Sequence, residues 1–210
     1  MHSLLIKSSK FSFYILYVIA VPLMFEAHTV LKLWLGIVPE HTVSFLRLIL
    51  IVGLLYTLSN PIIVSVHATG KLKKFQIIEG TMLLMIVPIA YLLLKVFGIA
   101  PEIVFVVHII VEICTQYARV RIVLPMIQMK LRIYLREVIL PIIMVVIISP
   151  ILPYLLYKNI GQSIVSFFII CGFSVVCVST TVFYVGCEKS EQKFLISKFF
   201  DIYKNVIGRF

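Results

Sequence analysis

The chain has 210 residues, of which 61% are hydrophobic and 13% charged, whereas a soluble domain needs about 25% charged residues to present a wettable surface. That balance excludes a water-soluble globule, and the apolar residues fall in runs of about eighteen or more, enough at about 1.5 Å per residue to cross a hydrocarbon layer roughly 30 Å thick. The formal charge of +10 would fit nucleic-acid binding in a soluble protein, but the lysines and arginines lie between the apolar runs without a basic aromatic cluster, so the charge is assigned to membrane topology and no nucleic acid is expected.

In chain order, Lys7 and Lys10 precede an apolar run at residues 11–25. No small-x-small cleavage site follows it, so it reads as a retained first span rather than a signal peptide. Residues 26–36 alternate Glu26, His28 and Lys32 with Val30, Leu31, Leu33, Trp34 and Leu35, the pattern of an interfacial amphipathic helix, with Trp34 at headgroup level and Gly36 as its stop. The second span covers 42–69 with an expected break at Asn60-Pro61, and the third covers 75–97 with Pro88 inside. A fourth span opens at Pro101, a favourable first-turn residue, and runs over 101–127; the fifth and sixth cover 138–157 and 164–187. The expected fold class is therefore all-α: a polytopic membrane bundle at 1–187 of about six transmembrane helices with interfacial helices. A tail at 188–210 follows, in which Phe194, Leu195, Phe199, Ile202, Val206 and Phe210 near helical spacing predict a surface-lying amphipathic helix.

Six spans distribute the positive charges unevenly. Lys7, Lys10, Lys71, Lys73, Lys74, Arg119, Arg121, Lys130, Arg132, Arg136, Lys189, Lys193, Lys198, Lys204 and Arg209 are 15 of the 19 basic residues and fall on one side, with Lys32, Arg47, Lys95 and Lys158 on the other. The positive-inside rule puts both termini in the cytoplasm.

Several features bear on chemistry. Pro22, Pro61, Pro88, Pro141 and Pro150 lie inside expected spans, as hinges of a moving transporter or as prolines that membrane helices tolerate. In the fourth span His108, Glu112, Thr115, Gln116 and Arg119 share one helical face, which should not face lipid, because a charge at a helix centre costs roughly 2.5–3.5 kcal/mol. That face either lines a central cavity, with Arg119 drawing an anionic headgroup and Glu112 or His108 exchanging protons, or hydrogen-bonds to a neighbouring helix. Glu79 is near enough to the cytoplasmic surface to snorkel. Asn60, with Thr57, Ser59, Ser65 and His67, either lines a substrate path or serves as packing glue; Arg47 is an interfacial anchor or a gate charge. Cys114, Cys171, Cys177 and Cys187 lack metal-ligand spacing and read as small core residues. No catalytic motif, metal site or cofactor site is present, so a transporter is expected rather than an enzyme.

Three stretches resemble a known family: Lys10-Phe-Ser-Phe-Tyr14 running to Pro22-Leu23, Leu31-Lys-Leu-Trp-Leu-Gly36 followed by Val38-Pro-Glu-His-Thr42, and Ala68-Thr-Gly-Lys-Leu-Lys-Lys-Phe-Gln76, with a weaker likeness at Pro101-Glu-Ile-Val104. They are similar to the bacterial O-antigen and capsule flippases of the multidrug/oligosaccharidyl-lipid/polysaccharide exporter superfamily, over roughly residues 1–125. The resemblance implies two pseudo-symmetric lobes that rock to carry an undecaprenyl-pyrophosphate-linked oligosaccharide across the inner membrane, and this chain matches the C-terminal portion. A missing N-terminal lobe, membrane lipids and the lipid-linked oligosaccharide are the implied partners, with Arg119, Gln116, Glu112, His108 and Asn60 as candidate cavity residues. A multidrug or cation antiporter fragment and a non-transporting membrane partner or remnant are the competing readings.

Overall fold

A computed structural model describes residues 2–70, 72–160, 164–194 and 196–198. Among these, six helical stretches are long and apolar enough to cross a membrane: His2–Phe25, Thr42–Thr69, Leu72–Lys95, Ile103–Met126, Leu131–Asn159 and Val165–Gly186. The chain is an all-α polytopic membrane bundle. Lys71 in the second basic loop lies outside the described residues, as do Leu195, Phe199, Ile202, Lys204, Val206, Arg209 and Phe210 of the expected tail helix.

Helix α1 (His2–Phe25) is the first span. Its Pro22 has no amide to return to Val18, and one turn later the chain bends into α2 (Ala27–Leu35), which Gly36 closes at φ +74° with its amide on the Lys32 carbonyl. Trp34 is 80% exposed, as an interfacial ring should be. Helix α3 (Thr42–Thr69) runs without a break through Asn60-Pro61, contrary to the expectation from sequence. It packs along both α1 and α6, and this two-sided contact keeps the helix continuous despite the lost amide. Gly70, in the left-handed conformation, ends it.

The third span divides into α4 (Leu72–Leu84) and α5 (Ile86–Lys95). The interruption at Met85 lies three residues before Pro88 because a proline ring crowds the carbonyl four residues back, here that of Leu84. Helix α6 (Ile103–Met126) is unbroken. The fifth span strings together α7 (Leu131–Tyr134), a π-helical turn (Leu135–Ile139), α8 (Leu140–Ile148) and α9 (Ile151–Asn159). The wide turn sits just ahead of Pro141 and the break at Ser149 just ahead of Pro150, so each proline marks its own irregularity. The span starts seven residues earlier than expected and takes Arg132 and Arg136 into its first turns. The sixth is α10 (Ile164–Thr181) followed by a π-helical turn (Val182–Gly186), after which residues 189–194 form a short helix.

Apolar side chains gain little by leaving lipid tails for one another, so membrane helices associate through close packing and hydrogen bonds. Small residues occupy the contacts accordingly: Ala20, Ser59, Thr115 and Ser174 are fully buried. At Gly186 the backbone touches α1, and a Cβ there would lie 2.7 Å from the Tyr14 hydroxyl oxygen. α10 packs on α1, α8 and α9 pack on α10, and α4 with α5 packs on α6, leaving the third span at the margin of the bundle.

Candidate functional site

The polar face of α6 meets α3 and α4. Arg119 is its centre, 1% exposed. Its Nε donates to Glu79 Oε1 on α4 at 2.7 Å and its Nη1 to Ser59 Oγ on α3 at 2.6 Å and to Glu112 Oε1, two turns up its own helix. Ser59 has one proton to give, and Glu112 Oε1 (2.9 Å), Gln116 Oε1 (2.8 Å) and the Leu55 carbonyl (3.3 Å) are all in reach of it. Thr115, on the same face, returns its hydroxyl to the Val111 carbonyl at 2.7 Å. Glu112, Gln116 and Arg119 of this face are thus hydrogen-bonded to Ser59 of α3, and Arg119 also to Glu79 of α4. Glu79 is not a snorkelling residue: its side chain is 16% exposed and turned onto Arg119.

The charges do not balance. When ionised, Glu79 and Glu112 place two negative charges on one guanidinium, leaving one in excess. Arg119 Nη2, Glu112 Oε2 and Gln116 Nε2 are buried without a hydrogen-bond partner, so the network holds spare donors and a spare acceptor inside a low-dielectric environment, where each lost partner is costly.

The other candidates lie elsewhere. His108 is half-buried, edge-on to Tyr56 of α3 with ring centroids 6.1 Å apart. Asn60 is exposed, and with Tyr56 and His67 it makes an outward polar stripe along α3. Thus Glu112, Gln116 and Arg119 come together around Ser59, whereas His108 and Asn60 stand apart from them.

Two features escaped the sequence reading. Lys10 on α1 is 1% exposed and donates to Glu191 Oε2 at 2.7 Å; the same oxygen accepts the Glu188 amide at 2.9 Å, and the Gln192 amide group donates to the Phe183 carbonyl at 2.7 Å. The start of the tail is thereby fastened to the first span, although a separation of 181 residues leaves no local signal of it. The second is a cleft of about 770 Å³ between the first, second and fifth spans, lined by Phe13, Tyr17, Phe25, Leu54, Tyr154 and Tyr157 among others. Arg47 is the one charged residue among its described lining, and its Nε donates to the Met24 carbonyl at 2.9 Å.

Among the described residues no three His, Cys, Asp or Glu side chains group closely enough to hold a metal ion. No family model matches the chain, and neither a curated protein nor a solved structure matches it.

Proposed function

We propose that the chain is the C-terminal part of a flippase exporting an undecaprenyl-pyrophosphate-linked oligosaccharide for O-antigen or capsular polysaccharide synthesis, seated in the bacterial inner membrane with both termini cytoplasmic. The resemblance over residues 1–125 supplies the substrate class. The observation that carries the reading is the exposed stripe of Tyr56, Asn60 and His67 on α3, because polar side chains in a span are placed against protein or a watery path rather than lipid. A second lobe across this face would enclose such a path, as alternating access between two repeats requires. Within this reading Asn60 and His108 border the path, Arg119, Glu112 and Gln116 brace the wall behind it, and the chain does not flip lipid by itself.

A cation antiporter fits less well, since both acids nearest the path, Glu79 and Glu112, are already engaged by Arg119. The burial of that network does favour a second reading, a non-transporting membrane partner whose polar residues only hold its helices together. Deleting the gene separates them. A flippase portion predicts loss of surface polysaccharide with lipid-linked oligosaccharide accumulating in the inner leaflet; unchanged surface glycan would overturn the proposal. Labelling from outside the cell should modify a cysteine placed at Glu40 but not one placed at Gln128, in a chain whose four free cysteines are replaced.

A further inference from the structure

We propose that the cleft between the first, second and fifth spans holds one acyl chain of an anionic glycerophospholipid, with the phosphodiester on Arg47. The proposal does not depend on the flippase reading. A cleft of about 770 Å³ has the size of a ligand site, and such sites join an apolar wall to a few placed polar groups. Here the wall is aromatic and aliphatic, contributed by α1 from its middle to its end, by the first half of α3 and by the second half of the fifth span, so it extends from mid-bundle toward the side remote from the N terminus. Phe25 lies tilted against Tyr154 and Tyr157, with centroids 6.5 and 5.9 Å away.

The charge decides the class of occupant. The bond from Nε to the Met24 carbonyl fixes the guanidinium and leaves its two Nη groups, the edge that pairs with a phosphate, to a ligand. A cationic amphiphile would meet a like charge. An ammonium-bearing headgroup would find no counter-ion there, because no carboxylate is among the described residues that line the cleft and neighbouring Glu26 is buried and accepts from Thr29 at 2.6 Å. A pyrophosphate would carry more negative charge than one guanidinium cancels, whereas a single phosphodiester matches it.

The test is native mass spectrometry and lipid extraction on the whole chain purified in mild detergent from membranes holding phosphatidylglycerol and phosphatidylethanolamine. Phosphatidylglycerol should remain bound in preference to phosphatidylethanolamine. Arg47→Gln should lower its retention by about tenfold, the scale of a charge-assisted hydrogen bond, and Arg47→Lys should restore part of it. Leu55 also lines the cleft, and Leu55→Trp, which fills it and leaves the charge, should abolish retention while the protein still elutes as one species; it also serves if Arg47→Gln fails to fold. Equal retention in wild type and Leu55→Trp, equal binding of the two lipids, or a bound polyprenyl pyrophosphate in place of phospholipid would each overturn the assignment.

Discussion

Arg119 Nε lies 2.7 Å from Glu79 Oε1, and this contact ties the third span, the least buried of the six described, to the fourth. Its removal should be severe. Arg119→Ala leaves two carboxylates without their cation inside the bundle, and breaking a buried pair by deleting one partner costs about 3–5 kcal/mol. The variant should show sharply reduced folded yield and a lower midpoint in thermal unfolding followed by size-exclusion. Replacing the whole set, Arg119→Met with Glu79→Leu and Glu112→Leu, should recover most of the loss, since well-packed apolar groups replace buried ion pairs at little cost. A triple variant as unstable as Arg119→Ala would mean that something other than stranded charge holds these spans.

The fastening of the tail makes a second prediction. Lys10 and Glu191 are 1% and 5% exposed, so Glu191→Leu strands a buried ammonium and also removes the acceptor of the Glu188 amide. Limited proteolysis should then cut the segment after Cys187 at least several-fold faster than in wild type. Lys10→Met in the same chain should remove the stranded charge and restore part of the resistance. Equal cutting rates in wild type and Glu191→Leu would show that Gln192 and the Tyr14 contact hold the tail alone.

What the sequence made legible follows from which signals are local. Span count and helical class came from the length of the apolar runs, and the shared face of Glu112, Gln116 and Arg119 came from helical spacing. What answers that face was not legible: Ser59 and Glu79 are 60 and 40 residues from Arg119, and nothing in either neighbourhood announces the pairing. Proline was ambiguous for a similar reason. Pro88, on a span with one main neighbour, interrupts its helix, whereas Pro61, held on both sides, does not. The bilayer-crossing pattern is written along the chain, but the contacts that decide between an interrupted and a continuous helix, or that pair one polar face with another, are made between distant segments.

On the side remote from the N terminus, His41 hydrogen-bonds Glu102 across the loops that precede the second and fourth spans. The bond from His41, with help from the backbone at Glu102, holds the Glu102 carboxyl below its ordinary value of 4.5. A carboxylate lowered in the folded state contributes stability that is present above its unfolded value and is lost as pH falls through the folded one. The thermal midpoint of wild type should therefore exceed that of Glu102→Gln near neutral pH, and the gap should close as pH falls below 4.5 and through the lower folded value. Because the His41 side chain is 41% exposed, the gap should be small and shrink further at high salt. A gap that persists into acid would rule out the ionised Glu102 carboxylate as its source.

The approach of Tyr14 to Gly186 sets how closely the first and sixth spans can pack. A Cβ at residue 186 would lie 2.7 Å from the Tyr14 hydroxyl oxygen and 2.8 Å from the ring carbon that bears it, and a ring wedged in the bundle, unlike a flexible chain end, cannot swing aside. Gly186→Ala should thus force the spans apart and cost about 1–3 kcal/mol, the range for overpacking. It should also lengthen the bond from Tyr14 to the Gly186 carbonyl, now 3.2 Å, and loosen the tail that begins two residues later. Gly172→Ala is the matched control on the same span, because an added Cβ there meets nothing within 4 Å and alanine is the better helix former by about 1 kcal/mol. Shortening the ring partner should relieve the clash, so Tyr14→Leu combined with Gly186→Ala should cost less than the sum of the two single changes. Strict additivity in thermal unfolding would separate the two residues and leave the helix crossing set by other contacts.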